Sequence, residues 1–507
     1  MTRNVIDYLN RIVNICPDKT AYSDGSLSLS FRQVYDQSRA LASFLAGKGI
    51  YKKPVVIYMQ KSPAEVAAFF GTVMAGNYYV PVDDTMPFDK IRMILDNVKS
   101  PLILCDDKTI GDARSQGLDK EAEVVLYSGT LDTPEDDKVL SDIREKALDT
   151  DPIYIVFTSG STGTPKGVCA CHRSVIDYLE VLTDVLKIDE NTVFGSQTPL
   201  FVDACLKELY PTLMFGATTY LIPKYLFATP VPLVEYMNRY KINTVCWVVT
   251  ALKMISALGA LDEVRPEYLR TIAFGSEVFP LREFRKWRKA CPEAEFINLY
   301  GPTEATGMTC YYRVDRDFED GEPIPIGRPF PNREVLLFRE DMTLAGEGEE
   351  GEICIRGNAL TLGYYNDPVK TGEAFVQNPL NPFYPELIYK TGDIGRVNER
   401  GELVFVSRKD YQIKRNGYRI ELGEVEANVE KLPEITSAVC IWDNDKNRLV
   451  LYYVGDVEER PLKKILTEKL SDYMIPNRIV RLDRIPQTPN GKIDRAGLKK
   501  LYLSKRK

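Results

Sequence analysis

The chemically richest segment of the sequence is a run of hydroxyls and glycines around one lysine, Thr158-Ser-Gly-Ser-Thr-Gly-Thr-Pro-Lys166. Gly160 and Gly163 let the backbone approach an anion closely. Thr158, Ser159, Ser161, Thr162 and Thr164 offer hydroxyl donors, and Lys166 offers charge. A loop of this make-up suits a polyphosphate. It is not a Walker A loop, which requires Gly-Lys-Ser/Thr: here Pro165 precedes the lysine and Gly167 follows it. A flexible surface loop is the plain alternative, and the apolar run at residues 153–157 that leads into the loop weighs against it. Scarcity is a second pointer. The 507 residues hold a single histidine, His172. A Ser-His-Asp hydrolase would have to use it as its base, and a site with several histidine metal ligands is excluded. Ten cysteines are scattered without a paired CxxC spacing. Cys169 and Cys171, next to His172, form a lone CxC that lacks further ligands, so reduced thiols packed as small hydrophobes is the simpler reading.

The elements that must hold the loop alternate in type. Ser30 reads as the N-cap of a helix with Phe31, Val34, Ser38, Leu41 and Leu45 on one face, closed by Gly47 and Gly49. Residues 54–59, 78–83 and 101–107 are short apolar runs bounded by turn residues, and 64–76 is a helix between the first two. Alternating strands and helices predict an α/β fold with a mostly parallel, helix-covered sheet as far as about residue 330. Short strands and turns follow, a β-rich subdomain. Beyond Asp410 the pattern is helix-type at 418–432, strands at 437–442 and 449–455, and a helix at 462–474. The expected division is a large N-terminal domain (1–406), a link (407–410) and a small mobile α+β domain (411–507).

Composition narrows the class. Hydrophobic residues are 44% and charged residues 27%, ordinary for a globular protein. Lys+Arg is 65 against 72 Asp+Glu, a net charge of −7, which argues against a nucleic-acid surface. The basic end, Lys505 to Lys507, reads as a solvated tail. No run of about 18 apolar residues suggests a membrane span, and the charged first sixteen residues read as an amphipathic helix and not a signal peptide. A cytoplasmic location is the expectation.

Seven segments, in order along the chain, resemble the core motifs of the adenylate-forming superfamily: acyl-CoA synthetases, luciferases and the adenylation domains of nonribosomal peptide synthetases. They are MAGNYYVPVD (74–83), TSGSTGTPKGV (158–168), NLYGPTEAT (298–306), GEICIRGNALTLGYYNDP (351–368), YKTGD (389–393), SRKDYQIKRNGYRIELGEVE (407–426) and PNGKIDR (489–495). The resemblance implies ATP and Mg²⁺ as cofactors and a carboxylic acid as substrate, joined to the α-phosphate with loss of pyrophosphate. That chemistry agrees with a lone histidine, because the attacking carboxylate is already ionised and needs no general base. By resemblance, Thr158, Ser159, Gly160, Ser161, Thr162, Gly163 and Lys166 hold the β- and γ-phosphates. Tyr300 stacks on adenine, Thr303 touches the α-phosphate and Glu304 ligates Mg²⁺. Asp393 accepts from the ribose hydroxyls, Arg408 assists, and Gly275, Ser276, Glu277, Asn298 and Gly301 complete the nucleotide site. Lys492 bridges the substrate carboxylate and the α-phosphate. The same resemblance implies that Asp410 is the hinge about which the small domain turns between two half-reactions, bringing in the loop around Gly417.

The acid is addressed by Phe201-Val-Asp-Ala-Cys-Leu-Lys-Glu-Leu209. In amino-acid-activating relatives an aspartate here pairs with the substrate α-ammonium, and Asp203 matches it. Activators of aryl and fatty acids have no ammonium to offer, and a buried carboxylate left unpaired is costly. The remaining pocket positions read as Ala204, Lys207, Trp247, Ile272, Phe274, Leu299, Gly307 and Met308, with slips of one residue open at several. Among standalone relatives the chain most resembles the D-alanine–carrier protein ligases of Gram-positive bacteria. Two departures set D-alanine in question. Gly275 stands where that subgroup has a cysteine, which leaves more room, and Lys207 puts a cation where it has an apolar residue. Lys207 either meets an acidic side chain or snorkels to solvent. The resulting expectation is an amino-acid adenylating ligase that loads the phosphopantetheine thiol of a separate carrier protein. A CoA-using acyl-CoA synthetase is the alternative. A nucleotide-binding scaffold without catalysis is a third reading, opposed by intact Lys166, Glu304, Asp393 and Lys492.

Overall fold

A computed structural model describes residues 2–159, 165–409, 411–444, 446–487 and 493–504. By compactness the chain divides into two units. The first comprises Met1–Asp84, Leu95–Val156 and Gly167–Lys409; the second comprises Thr85–Ile94, Phe157–Lys166 and Asp410–Lys507.

The first unit is built on three sheets. A nine-stranded sheet runs in the order Arg328–Pro329, Cys310–Arg313, Glu295–Tyr300, Thr271–Gly275, Thr244–Val248, Val193–Ser196, Thr218–Leu221, Thr20–Ser23, Ser28–Ser30. Its central strands pair in parallel. A six-stranded sheet holds Glu123–Leu126, Leu102–Cys105, Pro54–Tyr58, Tyr78–Val82, Pro152–Thr158 and Lys166–Cys171. A five-stranded antiparallel sheet carries Arg333–Phe338, Gly351–Gly357, Phe375–Gln377, Leu387–Val397 and Leu403–Arg408. The fold is therefore the helix-covered α/β arrangement with a β-rich part that the strand and helix alternation predicts. Local chemistry sets the element ends. The helix Phe31–Gly47 starts at a capping box in which Ser30 Oγ accepts from Gln33 N and Gln33 Oε1 accepts from Ser30 N.

The central parallel strands are buried on both faces. Alternate residues enter two different cores. Cys246, Ala273, Ile297 and Leu299 join one core, together with Met308 and the apolar side of the helix Leu206–Phe215. Val245, Trp247, Ile272, Phe274 and Phe296 join the other.

The second unit contains a hairpin, Gln412–Arg415 with Tyr418–Glu421, and a sheet of Ile435–Asp443, Arg448–Gly455 and Arg478–Arg481. Helices Leu422–Glu430, Glu459–Lys469 and Arg495–Ser504 accompany them. The helix-type reading of 418–432 is corrected here. Residues 418–421 form a strand, because Asn416 (φ 54°) and Gly417 (φ 84°) make a two-residue turn with both φ positive. That turn matches the right-handed twist of the strands it joins.

Candidate active site

The ends of three parallel strands, Thr244–Val248, Thr271–Gly275 and Glu295–Tyr300, stand side by side in register. The last runs into Gly301-Pro302 and the single turn Thr303–Ala305. Only glycine fits at 301, where a Cβ would lie 2.4 Å from the Gly307 carbonyl oxygen. Gly307 has φ 72°, and a side chain there would strike the Tyr178 ring at 2.6 Å. The tight loop carries Thr303 and Gly307 to one carboxylate. Thr303 Oγ1 donates to Asp203 Oδ1 at 3.0 Å, and Gly307 N donates to Asp203 Oδ2 at 3.2 Å. Burial lifts the Asp203 carboxyl above its ordinary range; the Lys207 ammonium opposes this most, followed by the Thr303 and Gly307 hydrogen bonds.

Glu304, on the same turn, is fully buried and accepts from Tyr364 Oη at 2.9 Å. Its main-chain carbonyl accepts from Thr361 N at 3.0 Å, tying the turn to the 351–368 segment. Asp393 and Arg408 face each other across paired strands, and Arg408 Nη1 donates to Asp393 Oδ1. Tyr300 Oη donates to Asp393 Oδ2 at 2.6 Å, so the residues expected at adenine and ribose are brought together. Arg408 Nη2 also holds the Thr391 carbonyl at 3.2 Å.

Around Asp203 lies a buried charge group. Lys207 is 5% exposed, and its charge acts on both Asp203 and Glu208. Glu208 is fully buried and accepts from Ser196 Oγ at 2.9 Å, while Lys61 Nζ donates to the Ser196 carbonyl at 3.0 Å. Burial pushes Glu208 up to about 7, opposed first by Lys207, then by the Ser196 hydrogen bond and Lys61; burial pushes Lys61 down to about 8, opposed first by Glu208. Lys61 and Glu208 were not singled out by the sequence. No local pattern marks them, since 147 residues separate two groups that meet only through Ser196.

Several expected site residues have other placements. Trp247 Nε1 donates to the Gly195 carbonyl at 2.6 Å, and its ring meets Phe227 edge-on. Phe274 packs among Phe279 and Phe284, and Ile272 lies in the same core. These three therefore face the opposite side of the sheet from Leu299 and Met308. The residue on the Asp203 side is Cys246, one position from Trp247, whose thiol feels both Glu208 and Lys207. Gly275 does not leave the expected room, because a Cβ there would lie 2.2 Å from the Leu299 carbonyl oxygen. Ser276 sits at φ 69°. Glu277 caps the helix Val249–Ala257, accepting from Thr250 N at 2.8 Å and Thr250 Oγ1 at 2.6 Å. Asn298 Nδ2 donates to the Pro325 carbonyl at 2.8 Å. Ala204 lies in the turn Asp203–Cys205.

In the second unit, Thr158 Oγ1 is buried without a hydrogen-bond partner among the described residues. Ser159 Oγ donates to the Arg419 carbonyl at 2.8 Å and accepts from Glu421 N at 3.2 Å. Lys166 is half-buried at the start of its strand. Gly160, Ser161, Thr162, Gly163, Asp410 and Lys492 lie outside the described residues. His172, the lone histidine, is buried; its Nδ1 accepts from Val5 N at 3.4 Å, and burial pulls its pKa down to about 4. It is placed as a core residue. Among the described residues no three His, Cys, Asp or Glu side chains converge as a metal site, and no helix is long and apolar enough to cross a membrane.

Comparison with known proteins follows the same lines. The family model "AMP-binding enzyme" matches residues 9–365, and the model of the AMP-binding enzyme C-terminal domain matches 424–492. Bacitracin synthase 1 of Bacillus licheniformis is 33% identical over 95% of the chain, which spans only 9% of that protein. Tyrocidine synthase 1 of Brevibacillus parabrevis is 30% identical over 95% of the chain, which spans 43% of it. A D-alanine–D-alanyl carrier protein ligase of Bacillus anthracis is 30% identical, with 95% of this chain and 96% of the ligase covered. The fold matches a Vibrio cholerae adenylation domain, AlmE, solved with glycyl-adenosine-5'-phosphate: TM-score 0.84 at 21% identity, covering 99% of this chain and 98% of that one. Together with the motif order and the geometry around Asp203, Glu304 and Asp393, these matches place the chain in the AMP-binding enzyme family.

Proposed function

We propose that this protein activates an amino acid as its adenylate, releasing pyrophosphate, and then passes the acyl group to the phosphopantetheine thiol of a separate carrier protein. The observation that carries the reading is Asp203. Its carboxylate is fixed by Thr303 and Gly307 on the turn that also carries Glu304. Each oxygen keeps a lone pair for a substrate ammonium. The full-length match to D-alanine–D-alanyl carrier protein ligases supports both the ammonium and the carrier.

The residues fit a nucleotide. The Thr158 hydroxyl, without a partner among the described residues, has a hydrogen to give to an arriving phosphate oxygen. Lys166, with Ser159, Gly160, Ser161, Thr162 and Gly163, would complete the hold on the phosphates, and Asp393 would take the ribose beside Tyr300. Glu304 is a hard oxygen donor of the kind Mg²⁺ takes singly, the phosphates supplying further ligands. When bound, Mg²⁺ neutralises phosphate charge. The chain's own work is to position the acid by its ammonium and to keep the acyl group dry. Lys492 would steady the developing charge at the α-phosphate.

The acceptor decides between this reading and a CoA ligase. Purified protein with ATP, Mg²⁺ and an amino acid is offered a phosphopantetheinylated carrier or free CoA. Thioester on the carrier with little on CoA is expected. Efficient acyl-CoA formation from acids lacking an amino group would replace the proposal by the CoA-ligase alternative.

A further inference from the structure

We infer that Arg333 is a positioning residue for the acid's ammonium: by holding the Met308 carbonyl it sets the peptide that aims the Gly307 N–H at Asp203. The inference rests on the amino-acid reading above. Arg333 begins the strand Arg333–Phe338 of the five-stranded sheet, and its side chain is 0% exposed. The guanidinium leaves that sheet for the site loop. Nη1 donates to the Met308 carbonyl oxygen, and Nη2 donates to Asp177 Oδ2 at 3.3 Å. Its Cζ lies 5.4 Å from the centres of both the Tyr178 and the Phe330 rings. Asn332, at φ 64°, donates through Nδ2 to Asp177 Oδ1. Two neighbouring residues thus hold one carboxylate of the helix His172–Leu186, and that anchors the fork.

The peptide it holds lacks other regular support. Thr306 (φ 48°) and Gly307 (φ 72°) are both left-handed, and Gly307 and Met308 lie outside any helix or strand. Tyr178 backs Gly307, where a Cβ would lie 2.6 Å from the ring. Arg333 fixes the carbonyl of the next residue. Between these two contacts stands the Gly307 N–H, 3.2 Å from Asp203 Oδ2. Stability alone is a poor reason for such an arrangement, because a buried ion pair often does no better than apolar side chains of the same volume. A guanidinium does what an apolar side chain cannot. Its planar fork holds a carbonyl and a carboxylate at once, in fixed directions. The nucleotide end is held separately, by the bonds of Tyr300 and Arg408 to Asp393, and Arg333 makes no hydrogen bond to these three. Loss of Arg333 should therefore be felt at the ammonium and not at ATP.

The test is Arg333→Met beside the wild type, read by pyrophosphate exchange on the amino acid the wild type uses best and on its deamino counterpart. A misplacement of about 1 Å can cost about 10²-fold, so the amino acid's kcat/KM should fall by roughly 10–10²-fold. The ratio of amino to deamino acid in kcat/KM should fall at least about tenfold, while the KM for ATP stays within about twofold. Arg333→Lys, a point charge that can hold the carbonyl or Asp177 but not both, should fall between the two. An unchanged ratio, or a KM for ATP raised as much as that for the amino acid, would overturn the inference and leave the amino-acid reading standing. Failure of both variants to fold would also overturn it, since Arg333 would then serve the core. A wild type that exchanges amino and deamino acids alike would overturn the amino-acid reading, and this inference with it, before any variant is made.

Discussion

Replacing Asp203 by asparagine removes one charge and almost nothing else, and the cost follows from its surroundings. An ammonium about 4 Å from a carboxylate in a partly dry site is worth about 4 kcal/mol at an effective dielectric constant near 20. Stripping water from the substrate ammonium returns part of this, leaving about 3 kcal/mol, or roughly 10²-fold in kcat/KM for amino-acid-dependent exchange. The folded protein without substrate should respond differently. Burial already works against the Asp203 charge, and asparagine can still accept from Thr303 Oγ1 through its carbonyl oxygen. Only the Gly307 N–H loses its acceptor. Stability should therefore move by no more than about 1–2 kcal/mol. The assay is exchange kinetics beside a urea unfolding curve on the same preparation. Wild-type exchange in Asp203→Asn would refute the ammonium assignment. A collapse of folding in step with activity would refute the claim that the carboxylate serves substrate more than structure.

Three further outcomes are expected. His172 has its pKa pulled from 6.5 to about 4 by burial, so its contribution to stability is complete above pH 6.5 and is lost as the pH falls toward 4; between about pH 7.5 and 5 the loss is about 2 kcal/mol. His172→Gln should flatten that part of the stability–pH curve, and an unchanged slope would show that His172 is not the group titrating. Gly275→Ala places a Cβ 2.2 Å from the Leu299 carbonyl, which should cost about 1–3 kcal/mol in unfolding free energy, whereas an unaltered urea midpoint would mean the strand ends are free to part. Lys492→Ala should reduce adenylate formation by about 10²–10³-fold while transfer from a supplied aminoacyl-adenylate survives; equal loss in both half-reactions would remove its assigned role.

The chain's punctuation carried most of what could be read in advance. Glycine and proline fix loops locally, so Gly301-Pro302 and the turn behind it could be placed from sequence. Asn416-Gly417 was not read as a hairpin turn, because a helical pattern in the residues that follow submerged its signal. Which way a residue of a central strand points could not be read. Every residue of Thr271–Gly275 is buried, so the polar–apolar alternation that would distinguish the faces is absent, and Trp247 stood in for Cys246. The Lys61–Ser196–Glu208 group was invisible for a different reason: its members meet through tertiary packing, and no spacing encodes it.

With Asp203 as its anchor, the proposed substrate of this AMP-binding enzyme is held by its ammonium as well as its carboxylate. The most direct measurement is incorporation of labelled pyrophosphate into ATP by the purified chain, over a panel of amino acids of both hands and their deamino counterparts. Exchange is expected with at least one amino acid, with a loss of about 10²-fold or more when the amino group alone is removed from that acid. Equal exchange with the deamino acid would contradict it.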